Sequence, residues 1–276
     1  MTYLLAGGCS FTDDNYKAQG HDCSYPKWPT ILAKKFNISK TVNTAKSSGS
    51  NELMFGSVTD NIITSKPKVV ALLMTSWDRV TPYGWPVNPF EVAELLVQKQ
   101  LATEESEINR INSLLEHCKE EWLLSEYVIK THMDIGEIVN SNLRMLYTLQ
   151  EMCKELSINL IVAQAFEPIR YFAIERLRDI KVSPYDPGIR FKSMFARAVL
   201  KSSYFDKIDW NKISIGGPFF DELGGKDMNG LIWEQSDIDL SIRESQLWLP
   251  NDGHPAAKGH EAIAQIFYNE YKKKYL

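Results

Sequence analysis

At 276 residues the chain is long enough for one large α/β domain or two small ones. Hydrophobic residues make up 44% and charged residues 24%, and 31 Lys and Arg face 35 Asp and Glu, a formal charge of −4. This is the balance of an ordinary soluble globular protein, and it argues against a phosphate-backbone binder, which carries a basic surplus or stripe. The longest basic run, KKK at 272–274, falls at the end of an expected helix, where it suits the helix dipole.

No apolar stretch approaches the roughly 18 residues that a membrane span needs. The opening apolar run, Tyr3 to Ala6, lacks a basic flank and stops at two glycines, so no secretory leader and a cytoplasmic location are expected. The four cysteines, Cys9, Cys23, Cys118 and Cys153, are widely spaced and include no CxxC pair. They are expected to be reduced thiols, with Cys118 and Cys153 in the core. HExxH spacing is absent too, so no metal and no cofactor are expected.

YLLAGG (3–8) is a short apolar run ended by glycine, a buried strand. Residues 24–38 turn helical from about Pro29, with Ile31, Leu32 and Phe36 on one face. TVNTA (41–45) is a second strand, followed by the turn KSSGSN. A helix over 51–65 follows, with Asn51 as its cap and Leu53, Met54, Val58 and Ile62 in register. KVVALLMTS (68–76) is the clearest buried strand.

Three prolines and a glycine make a loop of 82–89. Apolar residues recurring at three and four predict helices over 90–130 and about 137–157. INLIVAQAF (158–166) is a fourth strand. Short helices at about 168–179 and 189–200 precede glycine-rich loops. The tail 255–275 is a strong helix with Pro255 placed for its first turn. Strands separated by helices predict a single α/β domain over 1–276: a three-layer α/β/α sandwich on a mainly parallel sheet. The long helical pair is expected to form an insertion at about 85–157, a lid or interface outside the sheet.

In such sheets the reactive site lies at the carboxyl ends of the strands. Ser10 stands there, just after the first strand and Gly8. A serine hydroxyl is a weak nucleophile until a base, usually a carboxylate-oriented histidine, takes its proton. His254 sits on the turn before the last helix, two residues after Asp252. Gly49, on the turn after the second strand, lets the backbone approach a ligand. Cys9 should point away from the site if Ser10 points into it. His260 falls on the last helix as a packing or surface residue, and His21, His117 and His132 have no such context. Trp28, Trp77 and Trp85 could stack on sugars, though core or lid packing suits each better.

These blocks resemble the SGNH hydrolases, also called GDSL-like esterases and lipases. Gly8-Cys9-Ser10-Phe11-Thr12 matches the first block. Asn43-Thr44-Ala45 with Ser48-Gly49-Ser50-Asn51 matches the second, and Asp252-Gly253-His254-Pro255 with Gly259-His260 the last. The third block, normally Gly-x-Asn-Asp, reads Thr75-Ser76-Trp77-Asp78-Arg79, with Trp77 at the asparagine position. The resemblance implies a flavodoxin-like sheet, Ser10, His254 and Asp252 as catalytic residues, and an oxyanion hole from the Ser10 and Gly49 amides. Asn51, Ser76 or Arg79 would replace the missing asparagine donor, whose loss costs roughly two to three orders of magnitude in rate. Trp77, Asp78 and Arg79 would line the substrate site. The family aspartate lies three residues before the histidine, where this chain has Asn251.

The resemblance therefore implies a serine esterase acting on a small acyl ester such as an O-acetylated carbohydrate, with no nucleic-acid or membrane partner. An acyltransferase to a sugar hydroxyl keeps the same chemistry. A non-catalytic module binding a glycan or partner in the same cleft would fit the Trp77 and Asn251 departures. The α/β-hydrolase elbow GxSxG fits less well, because Thr12 stands at its second glycine and Ser10 follows the first strand.

Overall fold

The computed structural model describes residues 2–18, 20–77, 79, 98–99, 101–117, 135–165, 198–199, 201–209, 247, 249 and 254–276. Strands β1 (Tyr3–Gly8), β2 (Lys40–Asn43), β3 (Val69–Met74) and β4 (Asn159–Gln164) form one sheet in the order β2-β1-β3-β4. All three pairings are parallel, with Leu5 opposite Val42 and Val70, and Val70 opposite Leu160. This is the start of the flavodoxin-like order, within an α/β fold of three layers.

The layers follow from alternation along strands buried on both faces. Leu4, Ala6, Val69, Ala71, Leu73, Ile161 and Ala163 point to one side. There they meet α1 (Trp28–Lys35) through Leu32 and Ala33, and the last helix through Ile263, Ala264 and Phe267. Tyr3, Leu5, Val70, Leu72, Met74, Leu160 and Val162 point to the other side, against α2 (Asn51–Thr64) through Met54, Phe55 and Val58. The chain runs from β1 to β2 in one direction and from β2 across to β3 in the other. With right-handed crossovers, that reversal sends α1 and α2 to opposite faces. It also makes the gap between β1 and β3 the switch point, where a crevice opens at the carboxyl ends.

Two further helices lie between β3 and β4 among the described residues: α3 (Glu105–His117) and α4 (Ile135–Glu155). α4 packs Val139, Leu143, Leu146, Leu149 and Cys153 into the α2-side core, so it is the crossover helix of the sheet, not a lid outside it. Its apolar residues at three and four serve a buried face. The loop expected at 82–89, the helices at 168–179 and most of 189–200, and Trp85, Cys118 and His132 lie outside the described residues. No helix among the described residues is long and apolar enough to cross a membrane.

Two capping expectations are corrected. Ser50, not Asn51, is the N-cap of α2, and its side chain accepts from the Leu53 amide at 3.2 Å. Helix α5 (Ala257–Tyr275) has Ala256 as its N-cap, so Pro255 precedes the helix instead of occupying its first turn.

Candidate active site

The site begins where β1 ends. The Cys9 carbonyl accepts from the amides of Thr12 and Asp13, at 2.9 and 3.0 Å, closing a tight turn directly over the strand. Cys9 is buried in the core and Ser10 is turned out at the sheet edge. Gly8 makes this turn possible, since a Cβ there would collide with the Thr12 side chain. Thr12 is itself fixed, because its Oγ1 accepts from Trp28 Nε1 at 3.1 Å and its carbonyl from Asn43 Nδ2 at 2.6 Å. Asp13 ties the turn to the loop after β2, accepting from the Ser47 amide at 2.8 Å and its hydroxyl at 2.7 Å.

His254 arrives from the far end of the chain. Its turn is held by Leu249 N–H donating to the His254 carbonyl and Ala256 N–H to the Leu247 carbonyl, each at 2.8 Å. Tyr25 Oη donates to the Pro255 carbonyl at 3.0 Å. His254 Nε2 then lies 2.8 Å from Ser10 Oγ, across 244 positions of sequence. A base takes a proton over this distance, with Nδ1 carrying the ring's own hydrogen in the tautomer that the reaction needs. The amide of Ser10 meets no acceptor among the described residues.

The remaining expected residues are placed differently. Asp252 and Asp78 lie outside the described residues. The Gly49 amide is engaged, donating to the Lys46 carbonyl at 2.9 Å, and a Cβ at Gly49 would press on that same oxygen. Its glycine serves turn closure rather than ligand approach. Asn51 is buried at the start of α2. Its Nδ2 donates to the Thr75 carbonyl and to Asn142 Oδ1, both at 3.0 Å, and its Oδ1 accepts from the Thr75 amide at 2.9 Å. Both amide protons are spent on joining α2 to β3 and α4, which leaves none for an oxyanion.

Trp77 is 2% exposed and its indole N–H donates to Gln164 Oε1 at 3.0 Å. It is a core residue, and a buried ring face offers no platform to a sugar. Trp28 is likewise buried, stacked on Phe267 with centroids 4.5 Å apart. Arg79 is half-buried, with its amide 3.4 Å from the Ser76 carbonyl. The hydroxyls of Thr75 and Ser76 are buried at the switch-point end of β3 and have no hydrogen-bond partner among the described residues. No cluster of three or more His, Cys, Asp or Glu able to hold a metal occurs among the described residues.

Sequence reasoning missed Tyr16 and Phe11. The Tyr16 ring stacks on His254, with centroids 3.9 Å apart and 22° between planes, and its Oη lies 2.8 Å from Nδ1. Phe11 meets the imidazole at 5.3 Å and 67°. Loops lack periodicity, so no pattern marks Tyr16. The usable signal was its place in the loop directly after β1, which the topology sends to the same sheet edge as Ser10.

His260 is buried, and its Nδ1 accepts from the Trp28 amide at 3.3 Å. Burial, with smaller repulsions from Lys27 and His254, pushes its pKa from 6.5 to about 3. The ring stays neutral when folded but takes a proton below pH 6.5 when unfolded. Stability is therefore full above about 6.5 and is lost as pH falls toward 3, by up to about 1.4 kcal/mol per pH unit. Thermal melts from pH 7 to 5 check this: the slope of Tm against pH should flatten in His260→Gln. An unchanged slope would place the acid sensitivity elsewhere.

No family model matches the chain, and no curated protein does. Among solved structures it is similar to TesA, at 12% identity over 99% of each chain and a TM-score of 0.43. It is also similar to a catalytic mutant of Axe2, an acetylxylan esterase from Geobacillus stearothermophilus, at 14% identity over 98% of this chain and 93% of that one, TM-score 0.42. A protein of the G-D-S-L family from Desulfitobacterium hafniense DCB-2 follows at 12% identity over 96% and 99%, TM-score 0.40. At identities and scores this low, the likenesses carry no argument about activity, and the residues of the chain itself must carry it.

Proposed function

We propose that the protein is a serine esterase of the SGNH type acting on a small acyl ester, with an O-acetylated carbohydrate as the substrate class that the motif resemblance suggests. The observation that carries the reading is the 2.8 Å contact between Ser10 Oγ and His254 Nε2 at the switch-point edge of the sheet. As Oγ attacks the ester carbonyl, Nε2 accepts the hydroxyl proton and the ring becomes an imidazolium. The carbonyl electrons move onto oxygen, where the Ser10 amide donates to them. The C–O bond to the alcohol then breaks, and the imidazolium returns the proton to the leaving oxygen. Water, deprotonated by the same Nε2, releases the acid from Ser10. Asp252, two residues before the base, is the carboxylate that this reading assigns to orient it.

The engaged Gly49 and Asn51 groups favour a second reading, a binding cleft without turnover, because each removes a donor from the expected oxyanion hole. Incubation with p-nitrophenyl acetate separates the two. The esterase reading expects release of p-nitrophenol at a rate proportional to enzyme, and a transient acetyl adduct found on the peptide bearing Ser10 by mass spectrometry after acid quench. Glycan binding with neither turnover nor adduct would replace it with the second reading. Adding a sugar acceptor and analysing products distinguishes acyl transfer from hydrolysis.

A further inference from the structure

The contact between Tyr16 and His254 has an unusual geometry for a hydrogen bond. An in-line N–H···O contact in a shared plane would hold the two ring centroids about 6–7 Å apart. Here they are 3.9 Å apart with only 22° between the planes, so the phenol lies flat against the imidazole. Its oxygen reaches Nδ1 at 2.8 Å from the face of the ring, out of line with the in-plane N–H. Phe11 approaches the same imidazole at 67°, and Phe11 is locked in the core at 2% exposure. The imidazole thus has a flat aromatic neighbour on one side and a steeply inclined one beside it.

We propose that Tyr16 is a positioning residue, an aromatic shelf that holds the plane in which His254 Nε2 meets Ser10 Oγ and stabilises the positive charge carried by the ring during turnover. The inference rests on the serine esterase reading of the same site. Its physical content is that the negative face of an aromatic ring attracts a cation lying over it. The imidazolium exists only after Nε2 has taken the Ser10 proton and before it gives that proton up. A shelf under it therefore favours the charged intermediate over the resting state. A neutral ring needs only the van der Waals contact of the stack, while a charged ring gains the electrostatic attraction as well.

Besides Asp252, which the esterase reading assigns to orient the ring, the titratable and polar groups brought near His254 among the described residues are these. From its own loop, Tyr16 is accompanied by Asp13 and Asp14, of which Asp13 is hydrogen-bonded to Ser47. From α5 comes His260, which stays neutral down to about pH 3. From the start of α1 comes Lys27, buried and within 4.3 Å of the Tyr25 ring centroid, whose ammonium acts on His260. From the turn after β1 comes Ser10 itself. Within pH 5–8 the neutral His260 adds no changing charge, so a shift in His254 titration there can be read against the shelf.

The test compares Tyr16→Leu, which removes the shelf, with Tyr16→Phe, which keeps the ring and removes only the hydroxyl. The acidic limb of kcat/KM for p-nitrophenyl acetate should move to lower pH by about 0.5 to 1 unit in Tyr16→Leu, because the charged ring loses its support. Its kcat should fall about 10- to 100-fold through the loosened ring plane. Tyr16→Phe should restore the limb and most of the rate. In parallel, the 13Cε1 resonance of His254 is titrated by NMR in the wild type and both variants. If the wild type shows no turnover dependent on Ser10, the esterase reading fails, while a lowered His254 midpoint in Tyr16→Leu still supports the shelf. A wild-type limb and midpoint in Tyr16→Leu overturn the proposal. So does a Phe variant as impaired as the Leu one, since the effect would then belong to the hydroxyl. Tyr16→Gln replaces the Leu variant if thermal melts show that the latter is unfolded.

Discussion

Ser10→Ala and His254→Ala should each lower kcat for p-nitrophenyl acetate by about 10³-fold or more, and the double variant should be no slower than the worse single one. The reason lies in the shared proton. With Oγ and Nε2 at 2.8 Å, neither group has a partial function to retain once the other is gone. An alanine at Ser10 leaves a base with no nucleophile to activate. An alanine at His254 leaves a hydroxyl whose proton has nowhere to go at neutral pH. What survives in all three variants is binding and the backbone donor at Ser10, so all three should converge on one residual rate. Multiplying losses would mean that the two residues act in separate steps, and unchanged rates would remove the catalytic reading altogether. Circular dichroism on each variant checks that the loss is chemical, which the half-buried position of both side chains favours.

The strands were legible because burial on both faces leaves a plain mark: runs of apolar residues too short for a helix, each closed by a polar or glycine residue. Expected spans of 3–8, 68–76 and 158–166 stand against observed strands Tyr3–Gly8, Val69–Met74 and Asn159–Gln164. The meeting of Ser10 with His254 was legible for a different reason. In a parallel sheet every strand ends at the same edge, so a residue just after β1 and one just before the final helix can converge without any local signal linking them. What stayed hidden depends on which atoms are already spoken for. Nothing in the string of letters says that Asn51 gives both its amide protons to Thr75 and Asn142, or that the Trp77 indole N–H is taken by Gln164. Both carry N–H donors near a sheet edge where a ligand donor would be useful, but Asn51 spends its pair joining α2 to the end of β3 and to α4, and Trp77 spends its own on β4. Tyr16 shows the converse: a loop residue with no pattern around it, made important by a contact with a side chain 238 positions away.

Gly259→Ala should impair the enzyme more than it destabilises the fold, against the usual effect of that substitution in a helix. Replacing glycine by alanine inside a helix ordinarily stabilises by about 1 kcal/mol. Gly56 in α2 is exposed with open space where a Cβ would stand, so Gly56→Ala should show that gain. Gly259 is the third residue of α5, and a Cβ there would collide with the Leu247 carbonyl oxygen and press on Pro255 Cβ at 3.1 Å. The carbonyl is backbone and cannot rotate away like a side-chain end. It is also the acceptor of the Ala256 amide, one of the bonds that hold the His254 turn. Overpacking of this kind costs about 1–3 kcal/mol, which outweighs the helical gain and makes the net change destabilising. The strain is relieved most readily by displacing the 247–256 segment, which carries the base away from Ser10. A displacement of about 1 Å at a catalytic group costs about 100-fold in rate. Urea unfolding of both variants, with kcat measured on the same samples, checks the pair. Wild-type kcat in Gly259→Ala would mean that the close approach of Gly259 to the Leu247 carbonyl does nothing to hold His254.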